Sequence, residues 1–447
     1  MLNTKMLAVM DDVGFQVTER SELIEAMAVA LLTRKNLFIL GEPGQAKSQV
    51  INEFRCRITG AKQFERLLSK QADEEQLFGR MDLSTLIPGN ADNEALANDS
   101  EYQACLSDLR NLNGGDTDIT HDLLKRLDVL KRKAYALHGN KPKLITAGKI
   151  PDSHIVFLDE IFKANDGILN SLLTAMNERR FTNEGNTIDI PVISFFAASN
   201  EIPNFNDAQE KILRALFDRL ELKIVTEYVK EKDNRLSVLK NKQAGKTGTI
   251  QNTITLAELN AMQAEVSAVV VSDDMNELMD DILCELRDKG IHISDRKYFG
   301  YYPLAQALAW LNGRSNVEAK DLLILRHYLW TSPEERTVIN GLLERKCINP
   351  LKDALDEIIK MGVESYADFE DTALNGETAK RIGKMRNEFL DLYKDIVELQ
   401  GKAQSAAETG QITETLQQLE EYSKKAHSSV QYSYVPLTEL YELRKTS

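Results

Sequence analysis

Leu37-Phe38-Ile39-Leu40-Gly41-Glu42-Pro43-Gly44-Gln45-Ala46-Lys47-Ser48-Gln49-Val50-Ile51 is the stretch on which the fold turns. Four consecutive apolar residues bounded by a glycine read as a strand buried on both faces. Val50, Ile51 and Phe54 then begin the apolar face of a helix. A glycine-bearing turn between such a strand and such a helix is the setting of a phosphate-binding loop. Its glycines free the backbone to bend, its amides point at phosphate oxygens, and the helix N-terminus adds favourable potential. Lys47 can reach the outer phosphates of ATP, and the Ser48 hydroxyl can ligate Mg2+. Gly41, Glu42, Pro43, Gly44, Gln45, Ala46, Lys47, Ser48 and Gln49 are therefore the candidate nucleotide-binding residues. Ala46 stands where glycine is usual; its methyl group is tolerable if the residue has helical dihedrals, and that is the expected conformation.

Two further apolar runs end on polar residues. Ile155-Val156-Phe157-Leu158 leads into Asp159-Glu160, and Val192-Ile193-Ser194-Phe195-Phe196-Ala197-Ala198 leads into Ser199-Asn200. With helical patterns between them, they predict a parallel sheet wrapped by helices, with the chemistry at the carboxyl edge. Asp159 is expected to hold magnesium together with Ser48. Glu160 is placed to polarise the water that attacks the terminal phosphate. The alternative for the pair is an N-cap, because a helical pattern through Ile168, Leu172 and Met176 follows. Asn200 can orient the attacking water through its amide, or cap the turn before Pro203. Arg219, in Leu216-Phe217-Asp218-Arg219-Leu220, can stabilise charge on the transferring phosphoryl group from a neighbouring subunit. A solvated salt bridge of Asp218 with Arg219 or Arg214 is its structural rival.

The rest of the chain bounds this reading. At 447 residues it suggests about three structural units of roughly 150 residues each. A net charge of −14 disfavours nucleic acid as the main partner and leaves other proteins as the expected ones. Cys56, Cys105, Cys284 and Cys347 have neither zinc-site nor disulfide-framework spacing and read as reduced thiols. No segment approaches the roughly 20 apolar residues of a membrane span, so the cytoplasm is the expected location. Gly245-Lys246-Thr247 resembles the end of a phosphate loop but follows no strand, and His154 reads as a strand-edge residue.

Residues 90–150 read as an insertion carrying helices, broken at Gly114-Gly115. From about Lys230 helical periodicity takes over. Beyond Pro333, Ile382, Met385, Phe389, Leu392, Ile396 and Leu399 mark one helix face, and Ile412, Leu416, Leu419 and Tyr422 repeat that spacing after Thr409-Gly410. Two helices can pair there, either as a self-contained hairpin or as a docking arm.

Several segments together resemble the AAA+ ATPases of the MoxR group, and within it the RavA-type regulatory ATPases. They are the loop at 41–48 with its alanine, Ser69-Lys70-Gln71-Ala72-Asp73-Glu74-Glu75-Gln76-Leu77-Phe78-Gly79, the run from Ile155 to Ala164, Ala197-Ala198-Ser199-Asn200-Glu201, and Ser294-Asp295-Arg296 followed by Asn312-Gly313-Arg314-Ser315. The resemblance covers approximately residues 1–332. It implies an α/β AAA+ P-loop domain at 1–227, an α-helical lid at 228–332, and leaves 333–447 as a helical C-terminal extension. It further implies a hexameric ring with nucleotide between subunits, Arg219 acting in trans and Arg296 touching the γ-phosphate in cis. Glu178-Arg179-Arg180-Phe181 through Pro191 looks like the hairpin preceding the first sensor. The implied function is ATP-dependent remodelling of a protein client, commonly with a partner carrying a von Willebrand A domain. An ATP-gated ring scaffold with hydrolysis as a timer is the alternative, and a nucleic-acid motor is disfavoured by charge. Three departures stand out: the insertion is longer than the RavA pattern, Gly300 and Pro303 interrupt the helix after Arg296, and the tail lacks RavA's β-rich segment.

Overall fold

A computed structural model describes residues 2–82, 93–111, 117–138, 143–183, 186–203, 211–244, 250–348, 350–373, 378–402 and 406–446. The chain forms two compact units, Met1–Val269 with Gln306–Ser315, and Val270–Ala305 with Asn316–Ser447. Gly114-Gly115 and Gly245-Lys246-Thr247 fall outside the described residues.

The first unit is built on a five-stranded sheet. Its strands are β1 (Leu37–Leu40), β2 (Gln63–Leu67), β3 (Ile155–Asp159), β4 (Ser194–Ser199) and β5 (Leu222–Val225), in the order β5-β1-β4-β3-β2. All the pairings are parallel, with Leu40 opposite both Ser199 and Val225, and Asp159 opposite Ala198 and Leu67. The carboxyl ends of β1, β4 and β3 are therefore neighbours. Central strands buried on both faces need apolar side chains at every position, which is why β1, β3 and β4 are legible as continuous runs.

The flanking strands β2 and β5 escape that pattern. In β2 only Phe64 is buried, since an edge strand packs one face alone. In β5 the run is interrupted by Lys223, which is 1% exposed and sets its ammonium 4.8 Å from the Phe217 ring centroid. A lysine can fill such a place because its stem is apolar and its cation is stabilised over the aromatic face.

Helices cover the sheet. The helix Ser21–Thr33 carries an unbroken apolar run from Ala26 to Leu32, in which Ala26 through Leu31 are fully buried, and it stops where Arg34 turns left-handed at φ 54°. Helix Leu256–Ser267, opened by a Thr255–Glu258 capping box, packs on it, and Gln263 donates to the Leu31 carbonyl at 2.7 Å. That packing is why residues 228–269 count with the sheet unit. Helices Asn93–Asn98, Ser100–Asn111 and Thr117–His138 form the insertion, with a small core of Leu96, Tyr102, Cys105, Leu127, Leu130 and Ala134. Arg180–Asn183 pairs antiparallel with Asn186–Asp189, the hairpin expected from the sequence.

The second unit is helical. The helix Asp295–Phe299 ends at Gly300, where the sequence suggests an interruption, whereas Pro303 falls in the first turn of the next helix, Tyr302–Leu311, which tolerates it. A side chain at 300 would come within 2.8 Å of the Arg296 carbonyl and the Tyr328 hydroxyl. Helices Pro350–Ala373, Thr378–Lys402, Ala406–Ser429 and Leu437–Thr446 enclose a core in which Phe389, Leu419, Ala426 and Leu437 are fully buried. The pairing of Thr378–Lys402 with Ala406–Ser429 follows the apolar spacing. Thr409-Gly410 does not break the chain there, however: it lies inside Ala406–Ser429, where Thr413 bonds back to the Thr409 carbonyl at 2.8 Å.

Candidate nucleotide-binding site

The loop leaves β1 at Gly41, whose amide donates to the Ser199 carbonyl at 3.1 Å. A Cβ at this position would collide with the Thr226 hydroxyl and the Gln45 side-chain oxygen, so glycine is required for close approach rather than for torsion. Gly44 has φ +85° and Ala46 φ +59°, ψ 23°. Ala46 is therefore left-handed, not helical as the sequence reading expects. The loop must still be turning at this residue before the helix Lys47–Arg55 begins, and a Cβ there costs about 1–2 kcal/mol relative to glycine. Such turns make concavities that bind anions through backbone amides.

Side chains from outside hold this shape. Gln45, 6% exposed, accepts Arg20 Nη2 on its carbonyl at 3.2 Å and the Thr226 hydroxyl on its Oε1 at 2.7 Å. Arg20 also donates to the Glu227 carbonyl at 2.8 Å, and the Tyr228 hydroxyl donates to the Glu42 carboxylate at 2.7 Å. Glu42, Pro43 and Gly44 are exposed at the loop's tip, Gln49 is exposed, and Ser48 is half-buried on the first helical turn.

Lys47 is buried, with its ammonium bonded to the Gly41 carbonyl and, at 3.3 Å, to that of Glu42. Burial lowers its pKa, while the charges of Asp159 and Glu160 raise it in opposition. Both carboxylates thus act on the same ammonium. Burial in turn raises the pKa of Asp159, which also feels the Glu160 carboxylate, while the Glu160 amide, donating to Oδ1 at 3.0 Å, and Lys47 oppose the rise. Glu160 is left-handed, φ 53° and ψ 47°. Its Oε2 is buried without a hydrogen bond among the described residues, and the nearest cation is the Lys163 ammonium at 3.3 Å. The N-cap of the helix Asp166–Glu178 is Asn165, whose side chain accepts the Ile168 amide at 3.1 Å. Asp159 and Glu160 are consequently not spent on capping it.

Asn200 follows β4, between the ends of β1 and β3. Its Oδ1 is buried and makes no hydrogen bond among the described residues, so it caps nothing there. Buried oxygens without donors are costly unless a partner arrives. A buried ammonium, an anion-binding turn, one carboxylate near it and two such oxygens form a donor and acceptor set that suits a magnesium-bound triphosphate.

Arg219 lies elsewhere. It ends the helix Lys211–Arg219, and its carbonyl accepts Asn36 Nδ2 at 2.9 Å, just before β1 starts. The amino edge of the sheet is separated from the loop by the length of β1 and its flanking residues, roughly 16 Å at 3.3 Å per residue. Arg296 belongs to the second unit. There it is exposed on the short helix Asp295–Phe299, while its neighbour Lys297 turns inward to the Leu329 and Trp330 carbonyls at 2.9 and 3.1 Å. Arg20, Asn36, Arg179, Thr226 and Tyr228 were not anticipated; single polar residues beside helix and strand ends carry no periodic signal.

Comparison with known proteins agrees with this fold. The family described as the MoxR domain in MoxR-vWA-beta-propeller ternary systems matches residues 4–136 and 135–264, and an AAA lid domain matches residues 262–343. The chain belongs to the MoxR-type AAA+ ATPase family. An uncharacterized protein of Methanocaldococcus jannaschii is 28% identical over 383 residues, 85% of each chain. A second from that organism is 30% identical over 317 residues, 71% of this chain and 69% of the other. The crystal structure of an ATPase candidate from Cytophaga hutchinsonii is similar in fold, with a TM-score of 0.53 and 17% identity, covering 77% of this chain and 94% of that one. Among the described residues no helix is long and apolar enough to cross a membrane.

Proposed function

We propose that the protein hydrolyses ATP at the carboxyl edge of its sheet and uses the reaction to remodel a protein client. The observation carrying this reading is the place of the buried Lys47 in the loop at the carboxyl end of β1, on the same sheet edge as Asp159 and Glu160, whose charges act on its ammonium. The loop residues Gly41 through Gln49 bind the phosphates, and Lys47 neutralises charge on the outer ones. Ser48 and Asp159 would hold Mg2+, which supplies further neutralisation when bound. Glu160 accepts a proton from the water as its oxygen bonds to the terminal phosphorus and the bond to the bridging oxygen breaks, releasing ADP and phosphate. Asn200 orients that water through its Oδ1, which accepts no hydrogen bond among the described residues.

Arg219 completes the site of an adjacent copy, a role supported by its place at the opposite edge of its own sheet, and a hexameric ring is the assembly proposed. Residues 228–332 serve as the lid, with Arg296 as its sensor of the γ-phosphate, and residues 333–447 as an extension. A von Willebrand A-domain protein is the proposed partner, supported by the systems in which the matching family is described. The RavA-type assignment within the group rests on the run from Ser69 to Gly79. Glu160→Gln tests the chemistry: it should retain ATP on a filter while phosphate release falls at least 100-fold, and unchanged turnover would refute the role of Glu160.

A further inference from the structure

Resting on the reading of Arg219 as a residue that serves a neighbouring copy, we infer that Asn36 and Arg179 are the positioning residues that hold Arg219 in place for it. Asn36 is 1% exposed and bonded at every polar atom of its side chain. Its Nδ2 donates to the Arg219 carbonyl at 2.9 Å. Its Oδ1 accepts Arg179 Nη2 at 3.0 Å and the Phe195 amide at 3.2 Å. Its own amide donates to the Glu221 carboxylate at 2.9 Å.

Arg179 is anchored in turn. The same Nη2 donates to the carbonyls of Arg34 and Ile193 at 3.1 and 3.2 Å, and its guanidinium lies 5.2 Å from the Phe195 ring centroid. Burial lowers its pKa to about 10, with Glu221 pulling it up and Arg34 pushing it down. The helices Asp166–Glu178 and Lys211–Arg219 pack together, and each closes on one of the two arginines. Asn36 joins those closures. Through it, a side chain committed to β4 and to the turn before β1 fixes the backbone from which Arg219 projects. Among the described residues Arg219 itself bonds back by Nη1, to the Ala215 carbonyl at 3.2 Å, and its buried Nε has no partner.

A residue acting on a transferring phosphoryl group loses effect steeply when displaced, by up to about 100-fold for 1 Å. Arg179→Ala and Asn36→Asp should therefore lower ATP turnover about 10- to 100-fold while leaving ATP binding by the same subunit unchanged. Arg219→Ala should lower it about 1,000-fold or more. Asn36→Asp is the sharper variant, because an aspartate keeps the acceptor for Arg179 and replaces the donor to the Arg219 carbonyl with an oxygen that repels it. Arg179→Lys, whose ammonium has three donors for the same three acceptors, should keep most of the activity.

Mixing subunits separates positioning from a merely structural role. Glu160→Gln copies do not hydrolyse but carry an intact amino edge. Added to Asn36→Asp or Arg179→Ala copies, they should raise turnover well above the sum of the two alone. Arg219→Ala mixed in the same way is the control. If it is not rescued, the trans role of Arg219 falls. If it is rescued while Asn36→Asp and Arg179→Ala are not, or if Asn36→Asp alone turns over at the wild-type rate, the positioning role is overturned.

Discussion

Thr226, just beyond β5, donates its hydroxyl to the side-chain oxygen of Gln45 at 2.7 Å, and the pair occupies the space that a side chain on Gly41 would need. The loop is thus closed by a contact between its middle and the far side of the neighbouring strand. Gly41→Ala must break it. The cost expected from overpacking is about 1–3 kcal/mol, together with loss of nucleotide affinity. Adding Thr226→Ala removes one of the two colliding atoms and should restore part of both, as read by denaturant unfolding and titration with fluorescent ATP. Wild-type affinity in Gly41→Ala would contradict the packing.

Ala46 carries the opposite expectation. Its left-handed φ of +59° penalises any side chain, so Ala46→Gly should stabilise the nucleotide-free protein. Part of the 1–2 kcal/mol relief is offset by the greater freedom of glycine in the unfolded chain, leaving a gain of about 1 kcal/mol. Urea unfolding reads it directly, and a destabilised variant would mean that the residue is not held left-handed.

Two aspartates should respond to pH in opposite senses. At Asp12 burial raises the pKa but is outweighed by the hydrogen bond from Arg57 and the amides of Gln251 and Asn252, so the folded value lies below 3.8. Its contribution is present above the unfolded pKa and is lost as pH falls through the folded one. Asp159 is raised above 3.8 by burial, so its penalty sets in as pH rises through the folded value. Asp159→Asn should raise the thermal midpoint of the nucleotide-free protein at pH 7, progressively less toward pH 4. Asp12→Asn, opposite the fully buried Arg57, should lower stability at pH 7, by less than the about 3 kcal/mol of an orphaned buried charge because Glu53 still pairs with Arg57. Scanning fluorimetry across that range checks both signs.

Phe389→Ala tests the C-terminal helices. The ring is fully buried among Leu355, Ile382, Leu419 and their neighbours, so the cavity should cost about 3–5 kcal/mol. Limited proteolysis should then cut within residues 350–446 first. Wild-type resistance would show that this core contributes little.

The strands and loop that carry the proposed chemistry were legible because double-sided burial forces unbroken apolar runs and phosphate binding forces glycine. What stayed hidden has the same kind of explanation. β2 buries Phe64 alone, and Lys223 disguises β5 by covering its charge with Phe217. The left-handed Ala46 was missed because sequence says which torsions are cheap, not which are imposed by bonds such as those from Arg20 and Thr226 to Gln45. Thr409-Gly410 looked like a turn, yet the apolar face continuing through Ile412 and Leu419 overrides a propensity cost of about 1 kcal/mol.

Because all five strands point the same way, the first unit has a head, where Lys47 and Glu160 lie, and a tail, where Asn36 fixes Arg219. Two copies related by a twofold axis would bring like ends together and leave both heads without an arginine. Only head-to-tail contacts supply one at every junction, and these close into rings or run on as filaments. If Arg219 acts across junctions as proposed, working sites are counted by junctions rather than by chains: an isolated subunit would have none, and an open row one fewer than its members.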